Sequence, residues 1–286
     1  MIAEYLEDME TETKALRALI VHGAYHSEMA QRAQISLLAK AYRNDAEKSR
    51  YELLFKRHLK EARRVTPLLK YYGSERAVYM ARMCMQIHGG VGYTKEYKAE
   101  QLLRDALVLP IYEGTSQIQA LMAMKDKLMA IIRNPQDFLA QMAQARWRSL
   151  SARDPLERRL AKLQTLSYSA QQHLITRTAT DKFRGLQDKP LTDWPKAFLQ
   201  NWNPKRDFSY AMLHAERFTK LLTDVTIAEL LYKQARKHPE RYDVLERHLE
   251  RAEPRCRYWL DEITTTGQRL LEKLQQLQEK EEKSAG

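Results

Sequence analysis

The residues best suited to chemistry lie in one glycine-dense stretch, Gln86 to Gln119 (QIHGGVGYTKEYKAEQLLRDALVLPIYEGTSQIQ). Its C-terminal end sets a carboxylate, Glu113, between Tyr112 and Gly114. Burial against an aromatic neighbour makes a carboxylate a stronger base, and glycine leaves its approach open, so Glu113 is a candidate general base. Thr115, Ser116 and Gln117 add hydroxyl and amide groups that could serve a ligand or cap the following helix. From residue types alone, the capping loop is the simpler reading. At the other end, Gly89, Gly90 and Gly92 permit positive φ and close approach to the backbone. Exposed amides in such a turn can cradle a phosphate or pyrophosphate. The strand–turn–helix setting of a Rossmann fingerprint is missing, and an ordinary helix-to-loop turn accounts for the glycines equally well.

Two other groups could do chemistry. His22 and His26, four residues apart, fall on one helix face as a metal pair would, but no carboxylate sits between them. They are expected to be surface or packing histidines, and no metal is expected. Cys84 and Cys256 stand far apart with no ligand spacing and are expected to be reduced thiols.

The elements that must position these residues are helices. The chain has 286 residues, 44% of them hydrophobic and 30% charged, with nine glycines and nine prolines. Few breakers in a chain this long imply few turns and long helices. Apolar residues recur at three- and four-residue spacing: Leu6, Met9, Leu16, Leu19, Ile20 and Met29 in the first 32 residues, then ISLLAKAYR and YELLFKRHLKEARRV around a polar interval at Asn44–Arg50. Gly23 lies inside this pattern, at a bend or a close helix approach. Thr66-Pro67 reads as a helix start, Gly73-Ser74 as a stop and a new cap. The following segment to Gln86 (Val78, Met80, Met83, Cys84, Met85) is apolar almost all round and is expected to be buried. Leu102, Leu103, Ala106 and Leu107 make another apolar face. Asn134-Pro135 is the best boundary in the chain, with helices again over 136–150, 154–178, 206–238 and 240–278. Thr180–Pro204 reads as irregular, and the charged last ten residues as frayed. Trp147, Trp194, Trp202 and Trp259 read as packing residues. The fold class is therefore all-α: an up-and-down helical bundle over 1–134, then a second helical domain over 135–286.

Net charge is +11, a sign that suits nucleic acid, anionic lipid or phosphorylated cofactors such as CoA and flavin nucleotides. Acidic residues are mixed among the basic ones along most helices, so a solvated surface is the plainer account and nucleic-acid binding is not favoured. No apolar run approaches a membrane span, and the acidic N-terminus lacks the basic region of a secretory signal, which points to the cytoplasm.

Taken together and in order, Q-x-x-G-G-x-G-Y, L-x-R-D and I-Y-E-G-T-S-Q-I-Q resemble the C-terminal helical domain of the acyl-CoA dehydrogenase family. The resemblance covers residues 1 to about 134. It implies an FAD-dependent α,β-dehydrogenation of an acyl-CoA thioester, with an electron-transfer flavoprotein or similar acceptor. It matches Glu113 to the base that removes the α-proton and Gly114 to a position close to substrate. Thr115, Ser116 and Gln117 match a segment touching FAD. Gln86, Ile87, His88, Gly89 and Gly90 match the turn that holds FAD of a neighbouring subunit, His88 standing where the family usually has an aromatic or aliphatic residue. The family's N-terminal helical and β-domains have no counterpart in this sequence. The expectation is a homo-oligomer, or a complex with a chain that supplies those parts, and no activity without them. A non-enzymatic helical oligomerisation protein derived from the family is the alternative.

Overall fold

The computed structural model describes residues 2–184 and 207–285, with the side chains of 275 and 278–285 excepted. Among these residues the structure is all-α, with no strand. Two compact units divide the chain: Met1–Ala123 with Thr223–Arg251, and Met124–Leu222 with Ala252–Gly286.

The first unit is organised by an antiparallel pair, α1 (Ile2–Leu38) and α2 (Asp45–His88). Asn44 starts α2 by accepting the Glu47 amide at 2.9 Å, which satisfies one of the orphan donors of a helix N-terminus. Partners along the pair run in opposite directions: Asp8 meets Tyr79, Glu12 meets Tyr72, His22 meets Glu61, and His26 meets His58. Val65, Leu68, Tyr71 and Leu19 form the core between the two helices. A Cβ on Gly23 would stand 3.4 Å from Val65 Cγ1, so this glycine serves close helix approach. A 3₁₀ turn (Gly89–Tyr93) and α3 (Ala99–Ala106) follow α2. The segment Thr223–Arg251 joins the same unit, and Arg247 and Arg251 pair with Glu10 and Glu7, each at 3.0 Å.

Three expectations fail here for one reason. Pro67 does not begin a helix, and Gly73 and Ser74 do not break one; all three lie inside the 44-residue α2. Thr66 and Ser74 donate their hydroxyls to the carbonyls of Ala62 and Lys70, four residues back, each within the helix. A Cβ added at Gly73 would stand 3.6 Å from Leu16 Cδ1, so α1 runs close to it. Burial of Val65, Leu68, Tyr71 and Tyr72 against α1 outweighs the roughly 3 kcal/mol that an interior proline costs. Residues 75–86 are also less enclosed than their composition suggests, with Ala81 and Met83 buried but Arg82 and Gln86 exposed.

Helix α4 (Ser116–Arg133) passes from the first unit into the second after Ala123, and α5 (Pro135–Ser151) and α6 (Pro155–Arg184) follow in the second. Pro135 occupies the first turn of α5, where its missing N–H costs nothing. Helices α5 and α6 are antiparallel, with Arg148 donating to Gln164 at 2.9 Å and Phe138 against Tyr168. Then come α7 (Ser209–Leu213), α8 (Ala215–Ala235), which passes into the first unit at Thr223, α9 (Tyr242–Thr265), which returns to the second at Ala252, and α10 (Gln268–Ala285). Helix α10 continues to Ala285, so the expected frayed end is helical. Trp147 is 70% exposed and does not pack, whereas Trp259 lies under the Lys220 ammonium. Trp194 and Trp202 fall outside the described residues.

His214, fully buried, donates from Nε2 to the Thr266 carbonyl at 3.2 Å, and its Nδ1 has no hydrogen-bond partner among the described residues. Burial, reinforced by the Arg217 charge, pushes its pKa down to about 4 from an ordinary 6.5. The unfolded chain therefore takes up this proton at higher pH than the folded chain. Stability is intact above about pH 6.5 and is lost as pH falls towards 4, by an amount on the order of 2–3 kcal/mol. Denaturant unfolding at pH 7 and pH 4.5 should register this loss, and His214→Gln should shrink the difference.

Candidate functional site

Helix α2 positions both ends of the glycine-dense stretch. Near its middle, Lys70 Nζ donates to the Leu109 carbonyl at 2.7 Å and lies 3.9 Å above the Tyr112 ring. One turn on, Glu75 accepts the Ser116 hydroxyl at 2.5 Å. These two contacts hold the turn Leu107–Thr115 against α2. At its C-terminus, α2 runs into the Gly89–Tyr93 turn. Fourteen residues separate Glu75 from Gly89, about 20 Å of helix, so the two turns cannot meet at one reacting atom within this chain.

Glu113 has a left-handed backbone, φ 51°, which a non-glycine residue adopts at a cost of about 1–2 kcal/mol. It is held there from both sides: the Ser116 amide donates to the Pro110 carbonyl at 2.9 Å, and Gln119 Nε2 donates to Glu113's own carbonyl at 3.3 Å. Gly114 follows at φ 93°. The carboxylate is exposed, as are Tyr112 and Ile111; the apolar enclosure expected around it is not supplied by residues of this unit. Thr115 accepts the Ile118 amide at 3.3 Å and caps α4, and Ser116 is engaged by Glu75. The capping role is thus present, while Gln117 remains exposed.

The three glycines of the other turn divide by role. A Cβ at Gly92 would lie 2.8 Å from the Met85 carbonyl oxygen and 2.9 Å from His88 Cβ, so packing alone demands glycine there. At Gly89 (φ 63°) and Gly90 nothing lies within 4 Å of an added Cβ. That open, exposed backbone is where a phosphate-bearing group could approach, and exposed Gln86 and His88 flank it; Ile87 is half-buried. His88 Nδ1 donates to the Cys84 carbonyl at 2.8 Å, which orients its ring beside Tyr97.

Lys70 and Glu75 were invisible to sequence reasoning because they reach the loop from 39 and 41 residues away. Leu102, Leu107, Val108, Ile111, Tyr112, Val91 and Tyr93 are each exposed by 45% or more. These exposed apolar residues run along the sequence through and between the two turns.

Residues 53–128 match the family model described as acyl-CoA dehydrogenase, C-terminal domain. The chain is 33% identical over 114 residues to a 3-(aryl)acrylate reductase of Clostridium sporogenes, covering 40% of this chain and 22% of that protein. It is 52% identical over 56 residues to 3-methylmercaptopropionyl-CoA dehydrogenase of Ruegeria pomeroyi, covering 20% and 10%. It is 50% identical over 58 residues to an acyl-CoA dehydrogenase of Bacillus subtilis, covering 20% and 15%. The chain thus spans less than a quarter of the length of these curated relatives. A solved structure of an acyl-CoA dehydrogenase complexed with FAD from Bacillus anthracis shares the fold, with TM-score 0.57 and 17% identity over 96% of this chain and 44% of that one.

Proposed function

We propose, from the match of residues 53–128 to the acyl-CoA dehydrogenase C-terminal domain, that this chain is the flavin- and substrate-facing helical part of an FAD-dependent oxidoreductase. The reaction would be α,β-dehydrogenation of an acyl-CoA thioester, with electrons leaving to an electron-transfer flavoprotein or similar acceptor. Residues 1–134 would form the family-type bundle and 135–286 an added helical domain.

The observation that carries this reading is Glu113, held at positive φ on an exposed loop amid uncovered apolar side chains. Strained, over-determined residues cluster where chemistry needs a fixed group. In this scheme the Glu113 carboxylate takes the α-proton of the thioester, and backbone N–H groups stabilise the negative charge that develops on the thioester oxygen. Gly114 keeps the approach free of a side chain. Bound FAD would supply the acceptor for the β-hydride. The Gly89–Gly90 backbone, with Gln86, Ile87 and His88, fits the phosphate-bearing part of such a cofactor, since that surface is open and no Cβ intrudes. Thr115, Ser116 and Gln117 would face the flavin beside Glu113, and the Gly89–Gly90 turn that of a neighbouring subunit; the Ser116 hydroxyl is already given to Glu75. A second copy, another chain or a further segment would cover the exposed face and exclude water from Glu113; a cytoplasmic location suits this chemistry.

Isolated with whatever covers that face, the protein should be yellow and reduce a dye in the presence of a saturated acyl-CoA. With that face left uncovered, the chain should be colourless and inactive. An assembly without flavin that leaves acyl-CoAs of every length untouched would overturn the proposal. The uncovered apolar face also suits a non-enzymatic oligomerisation role, which predicts stable oligomers lacking flavin.

A further inference from the structure

The pair His22 and His26 acquires on folding what the sequence did not place beside it. Among the described residues, these two imidazoles and Glu61 each offer a donor atom within 4.8 Å of the others. We propose that His22, His26 and Glu61 bind a single divalent transition ion of the zinc type, clipping α1 to α2.

The four-residue spacing stacks the two imidazoles along one face of α1, ring centroids 4.5 Å apart. Glu61 reaches across from α2, with Oε1 2.8 Å from His22 Nε2. A proton on that axis occupies the place a cation would take. Two ligands at about 2.0–2.1 Å in tetrahedral geometry stand about 3.3 Å apart, so the pair need open by only about half an ångström. His26 Nδ1 lies 2.9 Å from His58 Nδ1, which leaves Nε2 as the nitrogen available to an ion. His58 is buried and acts as the outer partner: an ion on His26 Nε2 makes His26 the Nδ1–H donor and His58 the acceptor, fixing the tautomer and ring direction. Two imidazoles and one carboxylate suit zinc, cobalt or nickel better than calcium or magnesium. The three ligands are half-buried, so an ion can enter from solvent and keep water in the fourth position.

The neighbouring charges favour a ready site and also compete for it. Burial alone would raise the Glu61 pKa, but the Arg64 guanidinium and His22 hold it down to about 2. Burial and the charge of His22 lower the His26 pKa. Arg64 contacts both Glu61 oxygens, at 2.7 and 2.9 Å. A carboxylate has about four lone-pair sites, so Arg64 can keep Oε2 while Oε1 turns to the metal. The remaining facing groups are Tyr25 and Arg57.

The test uses the full 286-residue chain after chelator treatment, titrated with zinc ion by calorimetry and with cobalt ion by visible absorption. One ion per chain, cobalt bands of tetrahedral intensity and a raised Tm are expected. Glu61→Gln, which preserves shape, and His26→Ala should each weaken binding at least tenfold with helicity unchanged by circular dichroism. His58→Phe should weaken it by about 10- to 100-fold. Cys84→Ser, which removes the other potential donor pair with His88, should leave it unchanged. Absence of saturable one-to-one uptake, uptake that survives His26→Ala, or uptake lost in Cys84→Ser would overturn the proposal.

Discussion

In the flavin-loaded assembly, Glu113→Gln is expected to lower kcat by about 10²–10⁴-fold while the flavin absorption spectrum stays as it was. An amide has nearly the shape of the carboxylate it replaces, and the contacts that hold this loop do not use the carboxylate. Ser116 and Gln119 grip backbone oxygens, and Lys70 grips the Leu109 carbonyl. What disappears is the ability to accept a proton. The same geometry makes a second arm informative: Glu113→Gly removes a side chain from a left-handed backbone position and should slightly stabilise the chain while abolishing turnover. A loss of activity from general damage would move stability the other way. Undiminished turnover in Glu113→Gln would place the base on another residue.

The largest effect on stability is expected from Asp207→Ala. Lys182 Nζ and Asp207 Oδ2 lie 3.2 Å apart with side chains 2% and 0% exposed. Forming such a pair yields little net stability, because desolvating both ions offsets their attraction. Deleting the Asp207 carboxylate takes away the counter-charge 3.2 Å from a buried ammonium, a cost of about 3–5 kcal/mol. The denaturation midpoint should fall accordingly. Asp207→Ala combined with Lys182→Met, which removes both charges and keeps an apolar chain in place, should recover most of the loss. If the double variant is no better than the single, the pair is not what stabilises that position.

The class of fold was readable because helical periodicity and scarce breakers are properties of the whole chain. Local punctuation was less reliable. Thr66-Pro67 and Gly73-Ser74 carry ordinary boundary signals, yet the apolar face from Val65 to Tyr72 has enough partners on α1 to run the helix through both. The Glu113 loop was legible because its residue types are distinctive and close in sequence. Its supports were not, since Lys70 and Glu75 reach it through tertiary packing alone. Glu61 and His58 escaped for the same reason: a helix pair brings together residues 32 and 39 positions apart, and no local spacing encodes that. The shared roles of the glycines were equally hidden, because only the surrounding atoms separate Gly92, which packing requires, from Gly89 and Gly90.

Helix α2 is unbroken over 44 residues, about 66 Å, but Pro67 removes one rung of its hydrogen-bond ladder. A rod with one missing rung bends there at least cost. Lys70, Glu75 and the Gly89 turn all lie beyond that point, while His58 and Glu61 lie before it. Helix α1 spans that point, pairing with Glu61 before it and with Tyr72 and Tyr79 beyond it, so it acts as a splint across the missing rung and keeps the glycine turn and the Glu113 loop at a fixed distance from the histidine cluster.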